Sequence, residues 1–413
     1  MKKLAINGGP KVRKKFFPSY DVIDEREIRA VSRVLRSGVL SRFLGAWHPD
    51  FFGGPQIQAL ENEWSNYFKV KNAISVNSAT SGLISALGAV GIGLGDEVIV
   101  SPYSMSISAT APLFYGATPV FADVEPKYFC LDPKSIEAKI TSRTKAIIVV
   151  DLFGHPYDAE AVNKIARKHK LIVIEDAAQA PAVKYKNKYA GTLGDIGIFS
   201  LNYHKHIHCG EGGMVVTNND KFADRVRLIR NHAEAVVEKK GTKDLTNMLG
   251  FNFRMTEIEA SIAREQLKKL PSLIEKRVKN VNYISKKLST IKFISFAEPR
   301  PLAEHAYYVH PFLFDEKLAG VSRDIFIEAV KAELMPTKRR EGEGVKINSG
   351  YTKPLYLLPI FRKKRGVCPN VEKLHFKELV FHELMHPNMK KADLDDVVKS
   401  FIKVAENILE LKQ

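Results

Sequence analysis

Lys205 stands in Phe199-Ser-Leu-Asn-Tyr-His-Lys205-His-Ile-His-Cys-Gly-Glu-Gly-Gly213, a polar and aromatic stretch between two apolar runs, Ile196–Leu201 and Met214–Thr217. An amine near the end of a strand, flanked by Tyr203, His204 and His206, loses its proton more readily when buried, and the neutral amine condenses with carbonyl groups. The chain carries 63 Lys and Arg, so a lysine as such reads as surface. Position and company single this one out. Earlier lies Leu171-Ile-Val-Ile-Glu-Asp176-Ala-Ala-Gln179-Ala, an apolar strand that ends in two carboxylates. Ligands of parallel sheets bind beyond the carboxyl ends of the strands, where an acid can meet a buried cation. The same Asp also suits a helix N-cap, and the segment alone fits both readings.

A third segment, Val76-Asn-Ser78-Ala79-Thr80-Ser81-Gly82-Leu83, runs from a strand through small and hydroxyl residues into a helix. Free amides, hydroxyls and the positive helix end make an anion site, although an ordinary Ser or Thr cap has the same sequence. Rival chemistries find less support. His204, His206 and His208 alternate, so an extended backbone would put three imidazoles on one side, yet no second cluster completes a metal site. No metal is expected. Gly88, Gly91, Gly93 and Gly95 do not form a dinucleotide turn, and no P-loop is present.

The elements that must position these residues follow from periodicity. Strands are expected at Ala73–Val76, Glu97–Val100, Pro119–Ala122, Ala146–Val150, Leu171–Ile174, Ile196–Leu201 and Met214–Thr217. Helical patterns at Leu83–Val90, Lys134–Ile140 and Ala159–His169 lie between several of them, which predicts a mostly parallel α/β sheet with helices on both faces. After Pro271 a Lys-rich helical pattern, Leu273–Leu288, leads to a strand near Tyr307–Phe314 and a helix at Arg323–Glu333. A charged Gly-rich loop, Arg339–Tyr351, and a closing helix, Leu394–Leu411, complete the chain. The expected division is a large domain over 1–266 and, over 267–413, a connecting helix kinked at Pro271 with a smaller α+β domain.

Composition narrows the class. The 413 residues are 45% hydrophobic and 26% charged, enough for large cores and more than one domain. Cys130, Cys209 and Cys368 form neither a disulfide framework nor a metal pattern, which suits a reducing cytoplasm. The Gly8-Gly9-Pro10 break argues against a secretory signal, and no apolar run approaches the ~18 residues of a membrane span. The net charge of +17 is spread along the chain, with short clusters at Lys338–Arg340 and Arg362–Arg365, and reads chiefly as solvated surface with a share for an anionic substrate. No nucleic-acid or membrane partner is expected.

Together these segments resemble the DegT/DnrJ/EryC1/StrS sugar aminotransferases, within the fold-type I pyridoxal-phosphate enzymes. The resemblance also rests on Gly95-Asp-Glu-Val-Ile-Val100, Gly116-Ala-Thr-Pro-Val120 and Gly250-Phe-Asn252-Phe-Arg-Met255, in order through nearly the whole chain. It implies that Lys205 bonds covalently to pyridoxal 5'-phosphate and later moves the substrate proton, and that Asp176 holds the pyridine nitrogen protonated. It further implies that Gln179 contacts the ring's phenolic oxygen, and that Ser200 and the groups around Ala79 and Thr80 bind the phosphate. Asn252 would reach the phosphate of a neighbouring subunit, so an obligate homodimer with shared sites is implied. The amino donor would be glutamate or glutamine, and the acceptor a nucleotide-linked keto sugar. The Ile-Asn-Gly-Gly-Pro-like start resembles a branch acting on cyclitol ketones such as scyllo-inosose.

The chain departs from the family pattern at three places. Ala79-Thr80 replaces the usual Gly-Thr, Met105 stands where an aromatic residue stacks on the ring, and Ser41–Gly53 is longer than usual. Tyr203, His305, Tyr307, Tyr351 and Lys353 are candidate substrate contacts that serve packing equally well, Lys353 being suited to an anionic group. Relatives with histidine in place of the lysine are sugar dehydratases, and a non-catalytic regulator that keeps the cofactor is a further alternative. The intact Lys205 and Asp176 favour transamination.

Overall fold

The central sheet exists because seven short β-branched runs are separated by segments of helical period, each long enough to cross over and return. The computed structural model describes residues 3–412 apart from Leu245, so the outermost ends of the two expected domains, Met1, Lys2 and Gln413, lie outside the described residues. The strands are β1 (Asn72–Val76), β2 (Glu97–Val100), β3 (Thr118–Phe121), β4 (Thr144–Val150), β5 (Ile172–Asp176), β6 (Ile196–Ser200) and β7 (Gly213–Thr217). Their order is β1-β7-β6-β5-β4-β2-β3. Only β7 runs against its neighbours, pairing antiparallel with β1 and β6, so the sheet is mostly parallel as expected. Strands β2 and β4 are buried along nearly their whole length, as strands covered on both faces must be.

The helices bracket this sheet. They are α1 (Glu25–Ser37), α2 (Pro55–Phe68), α3 (Ala79–Ala89), α4 (Ala159–His169), α5 (Asp220–Arg230) and α6 (Glu257–Leu288). The predicted helix at Ala159–His169 has the bounds of α4, and β2 those of its expected strand. Strand β5 runs two residues further than its apolar run, so Glu175 and Asp176 are its last two residues. Helix α6 is capped by Thr256, whose side chain accepts from Glu259 N while the Glu259 side chain accepts from Thr256 N, a capping box. Pro271 lies within it, and so does the expected 266/267 boundary.

The C-terminal part is a four-stranded antiparallel sheet, order β8-β9-β11-β10, made of β8 (Ile294–Ser295), β9 (His310–Phe314), β10 (Ile347–Ser349) and β11 (Leu379–His382). It packs on α7 (Arg323–Ala332) and α8 (Lys391–Glu406) around Phe312, Phe326 and Phe401. Part of the loop expected at Arg339–Tyr351 is thus strand β10, where Ile347 supplies one buried side chain. The N-terminal segment joins this second core through Leu4 and Phe17. No helix among the described residues is long and apolar enough to cross a membrane.

One buried ion pair locks the layer behind β1. Arg230 is fully buried, and its guanidinium donates to Glu61 Oε1 at 2.6 Å and Ser75 O at 3.0 Å, while Glu61 accepts from Ser75 N at 2.9 Å. Three elements, α2, β1 and α5, therefore meet at one guanidinium. Breaking such a pair strands a charge in the interior. Arg230→Met is expected to lower stability by about 3–5 kcal/mol, read as a reduced urea midpoint at unchanged slope.

Candidate active site

Six strands deliver their carboxyl ends to one edge, at Val76, Val100, Phe121, Val150, Asp176 and Ser200, and antiparallel β7 begins there at Gly213. This is the edge where parallel sheets bind ligands. Gly213 pairs with both Val76 and Ser200. A Cβ on it would come within 2.6 Å of Ser78 C and 2.7 Å of Ala79 N, so only glycine lets the start of α3 settle against the sheet.

Ser78 caps α3, its Oγ accepting from Ser81 N at 3.1 Å. That leaves the Ala79 and Thr80 amides without partners among the described residues, with Thr80 exposed at the helix's positive end. The Ser200 hydroxyl, at the end of β6, accepts from Asn202 N at 3.3 Å. Ser200 and the start of α3 both adjoin Gly213. Beside them, Phe253 O accepts from Asn77 N at 2.8 Å, which brings the Gly250–Met255 segment to the same place. Asn252 is exposed there, its Oδ1 held by Arg254 Nε at 2.8 Å.

The charged pair lies one strand over. Asp176 is 6% exposed, and Oδ1 accepts from Ala178 N at 3.1 Å. Burial raises its pKa, opposed by that amide and by Lys205. Lys205 is tied at its backbone by N–H donation to Asn202 O, and its Nζ sits 4.5 Å from the centre of the Tyr308 ring. The side chain is partly accessible, yet the protein packed around it pushes the pKa down to about 8, with Asp176 pulling the other way. The two opposite charges feel each other without forming an ion pair within 4 Å among the described residues.

Gln179 is locked. Oε1 accepts from Phe153 N at 2.7 Å and Nε2 donates to Tyr351 OH at 3.2 Å, joining the turns after β5 and β4 to the C-terminal part. Phe153 is buried at φ 60, and the next residue, Gly154, at φ 98, lies where a Cβ would press on Gln179 O and Tyr307 N at 2.9 Å. A buried aromatic residue in the left-handed region is strain of the kind that collects at functional sites. Tyr351 also packs edge-on to Phe153 and Tyr103, and its backbone N–H donates to Tyr103 OH at 2.7 Å. Met105 follows β2 and is half exposed.

The other candidates scatter. Tyr203 stacks near His204 and lines a cleft of about 200 Å³ with Tyr20, Arg277, Tyr308, Arg340 and His386. His305 and Tyr307, stacked at 3.9 Å, line a different and larger cavity of about 780 Å³ on Tyr67, Tyr189 and Pro271. Lys205 and Asp176 do not border that cavity, so chemistry, not size, locates the site. Lys353 is exposed. The three histidines around Lys205 diverge in a chain of turns: His204 meets Arg340, His206 meets Ala306 O, and His208 has its backbone amide on Gln266. Sequence reasoning missed Tyr308, whose ring carries the Lys205 amine. Tyr307, at φ 47, interrupts the strand alternation that would have told which of the two tyrosines faces in.

The sequence matches the DegT/DnrJ/EryC1/StrS aminotransferase family over residues 21–402. It is 32% identical over 399 residues to the spore coat polysaccharide biosynthesis protein SpsC of Bacillus subtilis, covering 94% of this chain and 97% of that one. Among solved structures, the aminotransferase from Psychrobacter cryohalolentis superposes with a TM-score of 0.82 at 30% identity, covering 95% of this chain and all of that one. DesI, solved in the presence of its TDP-sugar product, gives 0.84 at 26% identity over 99% and 97%.

The lowered pKa of Lys205 has a direct readout. Its neutral fraction should rise through about pH 8, whereas an ordinary lysine does so near 10.5. In competitive labelling of cofactor-free protein with acetic anhydride, Lys205 is expected to gain roughly tenfold in rate between about pH 7 and 9 and then level off. A rate still climbing steeply above pH 10 would contradict this assignment.

Proposed function

The chain belongs to the DegT/DnrJ/EryC1/StrS aminotransferase family, and we propose that it transfers an amino group from glutamate or glutamine to the keto group of a nucleotide-linked sugar or a cyclitol. The cofactor is pyridoxal 5'-phosphate, which when bound supplies an aldehyde that condenses with amines and a ring that accepts electrons. The donor set fits this group: among the described residues the amine has no hydrogen-bond partner, the buried acid has no cation in contact, and two amides without partners lie near a hydroxyl. The observation that carries the reading is the first pair: Asp176 is buried at the end of β5, and Lys205 is half-buried in the turns after β6 and kept apart from it.

Each residue's part follows from its environment. Asp176 offers a carboxylate whose charge burial disfavours, so a proton-bearing ring nitrogen is the partner it lacks. Lys205, with a pKa of about 8, both gives and takes a proton at Nζ near neutrality, which suits the base that moves a proton between substrate and cofactor carbons. The Tyr308 ring lies against the amine at 4.5 Å. The Ala79 and Thr80 amides and Ser200 Oγ would hold the phosphate, and Gln179, held by Tyr351 and Phe153, would meet the phenolic oxygen. Met105 packs its thioether on the ring.

Asn252, exposed beside the start of α3, reaches the phosphate of a second copy, so the working unit is a homodimer. Exposed Leu44, Trp47 and Leu249 supply apolar surface for that contact. Tyr203 lies at the mouth of the cleft next to Lys205 and contacts the acceptor. The sugar reading draws on SpsC, a polysaccharide biosynthesis protein, and on DesI with its TDP-sugar product. Three buried free cysteines suit a reducing cytoplasm.

Purified protein should take up pyridoxal phosphate with a visible absorbance band, and borohydride should fix it on Lys205 in peptide mapping. Protein that stays colourless would sink the proposal. Asp176→Asn should still bind cofactor but slow the donor half-reaction by at least about 100-fold. Converting the enzyme to its amine-loaded form and screening keto sugars and cyclitol ketones then identifies the acceptor. Formation of a deoxy-keto product without release of a keto acid from the donor would point to a dehydratase instead.

A further inference from the structure

The cavity of about 780 Å³ that His305 and Tyr307 border lies apart from the active site, and neither Lys205 nor Asp176 lines it. Its volume is in the range of small-molecule sites. The walls come from the end of α2, the middle of α6, a two-stranded hairpin at Lys184–Tyr185 and Lys188–Tyr189, and the segment 298–307. Hairpin and segment are tied together. Lys186 N donates to Leu302 O at 2.9 Å, Glu304 N to Lys184 O at 2.8 Å, and Lys184 N to Glu304 Oε2 at 3.0 Å. The walls are thus organised before any ligand arrives.

Charge in this cavity runs against the charge of the chain. The sequence has 63 Lys and Arg against 46 Asp and Glu, whereas the cavity has Glu275, Glu298 and Glu304 against Lys184 alone. None of the three carboxylates has a Lys, Arg or His within 4 Å among the described residues, and Lys184 Nζ lies over the Tyr189 ring at 4.9 Å instead. Two of the walls are aromatic. The Tyr67 and Tyr189 ring centres are 5.7 Å apart, and His305 stacks on Tyr307 at 3.9 Å.

The polar groups on these aromatic walls have capacity left. His305 is 9% exposed, and its Nδ1 accepts from Tyr307 N at 2.9 Å. Burial holds the ring neutral, so its one N–H is at Nε2, which has no hydrogen-bond partner among the described residues. The Tyr67 and Tyr307 hydroxyls have none either, and burial pushes both phenols up to about 12, so they keep their protons.

We infer that this cavity binds a phosphate-free amino sugar, a ring that carries hydroxyls and a protonated amine. Each part has its counterpart. The amine meets carboxylates that lack a cation, the apolar face of the ring lies on Tyr67 and Tyr189, and hydroxyl oxygens accept from His305 Nε2 and the phenols. Other classes leave groups unmet. A polyamine is a donor at every protonated nitrogen and offers the imidazole N–H no acceptor. A phosphate or a nucleotide-linked sugar would bring negative charge against three carboxylates. A neutral sugar leaves the carboxylates without a counter-charge. The inference goes beyond transamination and does not depend on it.

Calorimetry with glucosamine tests this on protein loaded with pyridoxal phosphate and treated with borohydride, so that the probe cannot condense with the cofactor. Glucosamine should bind, and glucose and N-acetylglucosamine, which lack the charge, should bind about 10-fold more weakly or less. Tyr67→Leu and the double variant Glu275→Gln/Glu298→Gln should each weaken glucosamine by about 10-fold. No heat with glucosamine up to about 10 mM, equal affinity for glucose, tighter binding of spermidine, or unchanged affinity in the double variant would each overturn the assignment. Should Tyr67→Leu fail to fold, the double variant carries the test, since Glu275 and Glu298 are exposed. Should the protein take up no pyridoxal phosphate, the same titration runs on the untreated chain, and its result stands apart from the fate of the proposed function.

Discussion

The arrangement around this site depends on keeping one cation and one anion buried near each other and out of contact. Had Lys205 and Asp176 closed into an ion pair, each would have satisfied the other and neither would be open to a ligand. Held apart, both carry the cost of burial. For Lys205 the drop from 10.5 to about 8 corresponds to about 3 kcal/mol in favour of the neutral amine. The fold must hold that separation rigidly. It does so by placing the acid on the last residue of β5 and the amine five residues past the end of its parallel neighbour, β6.

The neighbouring carboxylate explains how β6 is set. Strand alternation sends Glu175 to the face opposite Asp176. There Glu175 accepts from the amides of Gly191 and Leu193 at 2.7 Å and of Gly194 at 3.0 Å, the turn that leads into β6. Asp151, on the adjoining strand end, is buried and held strongly toward its protonated form by burial and by Glu175. Three acids on two adjacent strands therefore have separate tasks. Glu175 fixes the turn before β6, Asp151 holds Tyr157 N at 2.9 Å, and Asp176 alone faces the amine. Gly197 completes the joint, since a Cβ there would overlap Gly191 O at 1.8 Å.

Much of this was legible in the sequence because local periodicity encodes strands, and strand ends converge by topology. The apolar run Leu171–Ile174 was enough to put Asp176 at a carboxyl edge, and Lys205 followed from the next run. The limits were equally physical. Strand β10 hid in a charged Gly-rich stretch, for only Ile347 is buried in it, and a single apolar residue has no period. Helices α1 and α2 escaped notice although Asp24-x-x-Glu27 forms a capping box at the start of α1. His305 and Tyr307 came into view by residue type, yet they border another cavity, while Tyr308 supplies the ring at Lys205. Which of two adjacent tyrosines faces a site depends on a single backbone dihedral, and no pattern of residue types records it.

The charge of the chain makes the same point at larger scale. A net charge of +17 suggests an anion-attracting surface, and the mouth of the cleft does carry Lys338, Arg339, Arg340 and Lys346. Lys338 and Arg339 stand in water, Arg340 and Lys346 are partly buried, and three of the four are already joined to Asp21, Glu343 and Glu383, which weakens their pull on an arriving anion. Arg277 differs in kind. It is dry, held by two backbone carbonyls and one aromatic face, and without a carboxylate within 4 Å among the described residues. A charge in such low-dielectric surroundings acts more strongly at short range than one on a basic surface. Net charge can raise the rate of encounter, but it does not by itself choose between ligands.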